Sequence, residues 1–124
     1  MPPPTILLIE DDEFIIDIYS KILLQKGYQI KIARNGQEGI KMAQEEKPSL
    51  ILLDILLPVC DGWETLAHIK KDHILENIPV FMLTNIGDEK SIKRAKAEGV
   101  KEYLIKAYTT SEELLDKVMH YLSK

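Results

Sequence analysis

Apolar residues in this chain occur in two kinds of run. Short unbroken stretches at residues 6–9, Leu50–Leu53 and 80–83 alternate with longer stretches in which apolar positions return every three or four residues. Unbroken Ile/Leu/Val runs are what strands look like when helices cover both faces of a sheet. Strand and helix signals that alternate from end to end predict an α/β fold with a parallel sheet. Two further strands read as Gln29–Ala33 and residues 103–105.

Between the strands the helical period is clear. Ile15, Ile18, Tyr19 and Ile22 recur at i, i+3, i+4 and i+7, which predicts a first helix ending near Gly27. A second helix spans about 37–46 and is stopped by Pro48. A third covers about 63–73, and a fourth about 89–98 with Gly99 as terminator. The last starts after Thr110-Ser111, with Glu112 and Glu113 in its first turn and Leu115, Val118, Met119 and Leu122 on one face. The fourth helix stands apart. Its apolar residues are Ile92, Ala95 and Ala97, set among Lys90, Lys93, Arg94 and Lys96. So little apolar area predicts weak docking.

Composition narrows the classes. With 124 residues the chain is expected to form one domain over 1–124, with a stiff proline lead-in at 1–4 and no output domain. A net charge of −4 argues against a general nucleic-acid binder. No apolar run reaches the roughly 18 residues of a bilayer span, and the N-terminus does not read as a signal peptide. A single cysteine, Cys60, excludes an internal disulfide and fits a reducing, cytoplasmic setting.

The chemistry lies at the strand ends. The first strand runs into Glu10-Asp11-Asp12, the third into Asp54, the fourth into Thr84 and the fifth into Lys106; only the second ends blandly, on Arg34-Asn35-Gly36. In an open parallel sheet, ligands bind outside the carboxyl ends of the strands, near the point where strand order reverses. These residues therefore converge in one crevice. Clustered carboxylates either share protons or hold a hard divalent cation such as Mg²⁺. A lysine and a threonine beside them favour the second reading, because both can bind phosphate oxygens. Asp54 is then the natural nucleophile, able to form an aspartyl phosphate.

At these residues the chain resembles the receiver domain of two-component response regulators. The resemblance rests on Ile9-Glu10-Asp11-Asp12, on Leu53-Asp54-Ile55-Leu56-Leu57-Pro58 with Asp61-Gly62, on Met82-Leu83-Thr84, and on Tyr103-Leu104-Ile105-Lys106. It covers nearly the whole chain and implies a doubly wound, five-stranded, flavodoxin-like sheet of order 2-1-3-4-5 with five flanking helices. It implies that Asp54 takes a phosphoryl group from a sensor histidine kinase or phosphotransfer protein. It implies Mg²⁺ or Mn²⁺ on Asp11, Asp54 and the Leu56 carbonyl, with Glu10 acting through water. Lys106 would contact Asp54 and phosphate, Thr84 would swing inward, and Tyr103 would follow it. The fourth helix, fifth strand and fifth helix would then change their contacts with an unknown downstream protein, as a monomer or a weak phosphorylation-dependent dimer. Such a domain is a switch and not an enzyme in the ordinary sense, though it assists its own slow dephosphorylation.

Departures from the family pattern are informative. Proline usually follows the lysine, joined by a cis bond; here Ala107 follows, and a non-proline cis bond costs about 2.5–4 kcal/mol. The Lys106–Ala107 bond is therefore either trans or cis only by force of packing, and the placement of Lys106 is in question. Asn85 replaces the usual alanine and can add a polar contact at the pocket mouth. Leu56 and Ile86 occupy positions that tune dephosphorylation in the family; neither can hydrogen-bond an attacking water, which predicts slow loss of phosphate.

Plainer roles fit several residues. Asp12 reads as a helix-start residue, Asp61-Gly62 as turn and cap, Cys60 as an inert thiol and Trp63 as packing. A Mg²⁺-dependent phosphohydrolase is a poor alternative, since Leu56 stands where an acid–base aspartate is needed. A phosphate-independent docking module is the other, with intact Glu10, Asp11, Asp54, Thr84 and Lys106 against it.

Overall fold

The computed structural model describes residues 2–122, so Met1 of the lead-in lies outside the described residues. Strands β1 (Thr5–Ile9), β2 (Gln29–Ala33), β3 (Leu50–Leu53), β4 (Val80–Thr84) and β5 (Glu102–Ile105) form one parallel sheet in the order β2-β1-β3-β4-β5. Helices α1 (Glu13–Gln25), α2 (Gly36–Glu46), α3 (Gly62–Lys71), α4 (Glu89–Ala97) and α5 (Ser111–Leu122) connect or follow them. A 3₁₀ turn at Lys106–Tyr108 leads from β5 toward α5. This is the expected flavodoxin-like winding, with every strand boundary within one residue of its prediction.

Because successive side chains of a strand face opposite ways, each buried strand feeds two cores. Leu7, Ile9, Ile51, Leu53 and Met82 point one way, onto Ala43 of α2, Leu66 and Ile69 of α3 and Ala95 of α4. Ile6, Leu8, Leu52, Phe81 and Leu83 point the other way, onto α1 and α5. Phe81 also meets Tyr121 edge-on at 5.0 Å, which clips α5 to the sheet.

Two helix faces differ from the sequence reading. In α1 the buried residues are Ile16, Tyr19 and Leu23; Ile15 and Ile22 flank this stripe, and Ile18 is exposed. Apolar residues nearly encircle α1, so periodicity alone does not choose the face. In α5, Leu114 joins Leu115 and Val118 in the core, while Met119 and Leu122 are half-buried.

Helix starts follow local chemistry. Asp12, Asn35, Asp61 and Asp88 each accept a backbone N–H from the first turn of the helix they cap, worth about 1 kcal/mol apiece. Thr110 and Glu113 exchange hydrogen bonds at 3.1 and 3.0 Å, a capping box at the head of α5. Gly27 and Gly99, both at φ 92°, turn the chain out of α1 and α4 in a conformation that side chains resist.

Helix α4 buries only Ala95, as its thin apolar face predicts. Besides Ala95, the Arg94 guanidinium reaches α3, lying 4.1 Å from the ring centroid of Trp63 while also bonding Glu98 at 2.7 Å.

Candidate functional site

The register of the sheet builds the site. Ile9 pairs with Leu53, and the ladder continues one step further, where the Asp54 N–H donates to the Ile9 carbonyl at 3.1 Å. Glu10 and Asp54 thus leave neighbouring strands side by side. On the other flank Thr84 pairs with Ile105, which puts Lys106 beside the end of β4. The central strand ends therefore open into one crevice, as the strand-end chemistry requires.

Within it, Lys106 is the hub. Its ammonium lies 2.9 Å from Asp54 Oδ2 and forms an ion pair with Glu10 Oε1. No peptide bond among the described residues is cis, so the Lys106–Ala107 bond is trans and the lysine still reaches Asp54. The other Asp54 oxygen accepts the Ile55 N–H at 2.7 Å. Glu10 Oε2 accepts the N–H groups of Asp11 and Asp12, each at 3.1 Å. Glu10 Oε1 faces the Lys106 ammonium, its ion-pair partner.

Electrostatics follow from burial. Glu10 is 1% exposed and Asp54 6%, whereas Asp11 faces solvent. Burial pushes the Glu10 pKa up, and the charge of Asp54 adds to that, against the pull of Lys106. Burial alone would lower the Lys106 pKa, but bonds to Asp54 and Glu10 outweigh it and hold the ammonium above its usual value. One carboxylate oxygen from each of Glu10, Asp11 and Asp54 lies within 4.8 Å of the others. Three carboxylates against one ammonium leave an excess of negative charge on hard oxygen ligands, a donor set suited to Mg²⁺ or Mn²⁺.

Thr84 is fully buried and its Oγ1 accepts the Ile86 N–H at 3.4 Å. The half-buried Tyr103 donates its hydroxyl hydrogen to the carbonyl of the same Ile86. Sequence reading paired these two residues without finding this shared backbone link. Leu56, at 66% exposure, lies on the loop beyond Asp54. Asn85 accepts the Ala107 N–H at 3.0 Å, so its polar contact is to backbone. Asp61 caps α3, Gly62 donates its N–H to the Ile55 carbonyl at 2.8 Å, and Cys60 Sγ lies 3.6 Å from Thr65 Oγ1, all structural roles.

A doubly wound parallel sheet with an acidic, lysine-spanned crevice at its switch point defines a class of phosphoacceptor switches. The chain belongs to the response regulator receiver domain family, which it matches over residues 6–119. It is 35% identical over 98% of its length to the DNA-binding dual master transcriptional regulator RpaA of Synechocystis, and spans 50% of that regulator. It is 29% identical to the polar-differentiation response regulator DivK of Brucella anthropi, with 97% of each chain covered. Among solved structures, the Mn²⁺-bound response regulator Rcp1 superposes with a TM-score of 0.85 at 29% identity, covering 98% of this chain and 96% of that one. Receiver domains are signalling switches of two-component systems, and this chain has the acidic pocket of that function.

Proposed function

We propose that Asp54 accepts a phosphoryl group from the phosphohistidine of a sensor histidine kinase or phosphotransfer protein. One Asp54 carboxylate oxygen attacks phosphorus, the P–N bond breaks, and the imidazole retains the electron pair. The observation that carries this reading is Lys106 Nζ, held between Asp54 Oδ2 and Glu10 Oε1. From there an ammonium can follow negative charge as it builds on the phosphoryl oxygens, and such positioning is most of what phosphoryl transfer asks of a protein. Asp11, Asp54 and the Leu56 carbonyl would hold Mg²⁺ or Mn²⁺, with Glu10 acting through water. The bound cation supplies further charge neutralisation. Thr84 accepts from Ile86 and keeps its own O–H free to donate to a phosphate oxygen.

Once Thr84 turns toward phosphate, the Ile86 backbone that it shares with Tyr103 is disturbed. Tyr103, half-buried and tied to the Ile86 carbonyl, would shift with it, and the α4–β5–α5 face would present a new surface to a downstream protein. Weak docking of α4, with Ala95 its one buried residue, suits it to shift. The switch operates in the cytoplasm, as a monomer or a weak phosphorylation-dependent dimer. The described residues contain no helix long and apolar enough to cross a membrane.

The test is intact-mass spectrometry after incubation with Mg²⁺ and acetyl phosphate. A phosphate adduct on the native chain and none on Asp54→Asn is the expected result. Equal labelling of both chains refutes Asp54 as acceptor.

A further inference from the structure

The β4–β5 ladder ends at the Thr84–Ile105 pair. Beyond it the two strands part, one toward α4 and the other into the 3₁₀ turn at Lys106–Tyr108. Thr84 sits in that last pair, and Lys106 lies one residue beyond it, where the ladder no longer holds its backbone to β4. One bond crosses the gap directly after them. Ala107 donates its N–H to Asn85 Oδ1 at 3.0 Å. Asn85 follows Thr84 and Ala107 follows Lys106, so a side-chain amide supplies the next rung of the ladder.

The local chemistry makes this rung specific. The first N–H groups of a helical turn lack partners within that turn, so Ala107 needs an acceptor from elsewhere. Thr109 secures the far side of the turn, through its hydroxyl to the Ile105 carbonyl at 2.8 Å. That bond does not reach the β4 side. Alanine at 107 and asparagine at 85 depend on one another: a proline would offer no N–H, and an alanine no acceptor.

We propose that Asn85 is a positioning residue for phosphoryl transfer to Asp54. Through the Ala107 N–H it sets the backbone from which Lys106 enters the crevice, and it ties that backbone to the loop following Thr84. The inference rests on the reading of Asp54 as phosphoacceptor. The rung is solvent-exposed, so water replaces it at little cost to overall stability. Its loss is felt in the placement of Lys106, and so in the rate of transfer. Metal affinity comes from the carboxylates and does not fall, since moving the Lys106 ammonium only removes a competing cation from Asp54 and Glu10.

The test compares native protein, Asn85→Ala, Ala107→Pro and the double variant. Each is measured for rate of phosphorylation by acetyl phosphate, for Mg²⁺ affinity and for thermal midpoint. Asn85→Ala is expected to slow phosphorylation about threefold to tenfold, the scale of one net hydrogen bond, with no loss of Mg²⁺ affinity and an unchanged midpoint. Because both substitutions remove the same bond, the double variant is expected to be no slower than the slower single variant. An Asn85→Ala rate equal to native, a parallel loss of Mg²⁺ affinity, or singles whose effects multiply would each overturn the proposal. Native protein that takes no phosphate overturns the Asp54 reading itself and the present inference with it, an outcome distinct from the other three.

Discussion

Gly62 sits against the backbone of Asp54 so closely that a Cβ on it would stand 2.3 Å from the Asp54 carbonyl oxygen and 2.5 Å from Ile55 Cα. The head of α3 thus rests directly on the strand end that carries the proposed phosphoacceptor, and only a residue without a side chain permits it. Gly62→Ala must push α3 or Asp54 aside. Urea unfolding is expected to show a loss of about 1–3 kcal/mol, with slower phosphorylation by acetyl phosphate. Unchanged values for both would mean that the contact relaxes freely.

A long-lived phosphorylated state is the expectation from Leu56 and Ile86. Leu56 is 66% exposed on the loop beyond Asp54, and Ile86 follows the Thr84–Asn85 pair. Neither side chain can orient a water for attack on phosphorus. Leu56→Asn combined with Ile86→Gln is expected to speed loss of the adduct by roughly tenfold, the scale of one or two hydrogen bonds that orient an attacking water. Decay at the native rate would show that water access is controlled elsewhere.

Glu10 makes the acidic crevice costly to fold without metal. Its folded pKa is raised, so its stabilising contribution is present below the ordinary carboxylate value and is lost as pH rises through the folded value. Toward neutral pH the buried Glu10 therefore contributes less to stability than it does in acid. With metal chelated, Glu10→Gln is expected to raise the thermal midpoint at pH 7 by about 2–6 °C, and the gain should shrink toward pH ~4. Mg²⁺ affinity should fall in the same variant. A lower midpoint at pH 7 would show that the ion pair with Lys106 outweighs burial. Lys106 behaves in the complementary range: its pKa is raised, so its contribution lasts through neutral pH and fades only in strong alkali.

Much of this molecule is legible in its residues before any coordinates are seen. Buried parallel strands must be apolar on both faces, so residues 6–9, 50–53 and 80–83 announce themselves, and the groups just past them mark the crevice. Helix faces are less legible where apolar residues are abundant. Phe14, Ile18 and Leu24 are exposed on α1 and blur the stripe that Ile16, Tyr19 and Leu23 bury. Least legible are contacts between backbone groups far apart in sequence. That Thr84 and Tyr103 share Ile86, or that Asn85 serves Ala107, depends on how two strands part after their last pair. The Asn85–Ala107 pairing did leave a trace, since both residues depart from the family pattern together.

Trp63 is the one tryptophan in the chain, and it lies beneath Arg94 of the helix proposed to shift. Indole emission responds to a cation over its face. The protein therefore carries its own optical gauge of α4: fluorescence should change as Asp54 takes phosphate and stay flat in Asp54→Asn. In Arg94→Ala the response should be largely gone, although mass spectrometry still records the adduct. Signal arrival at the output helix could then be timed separately from the chemistry that triggers it, in real time and without a label.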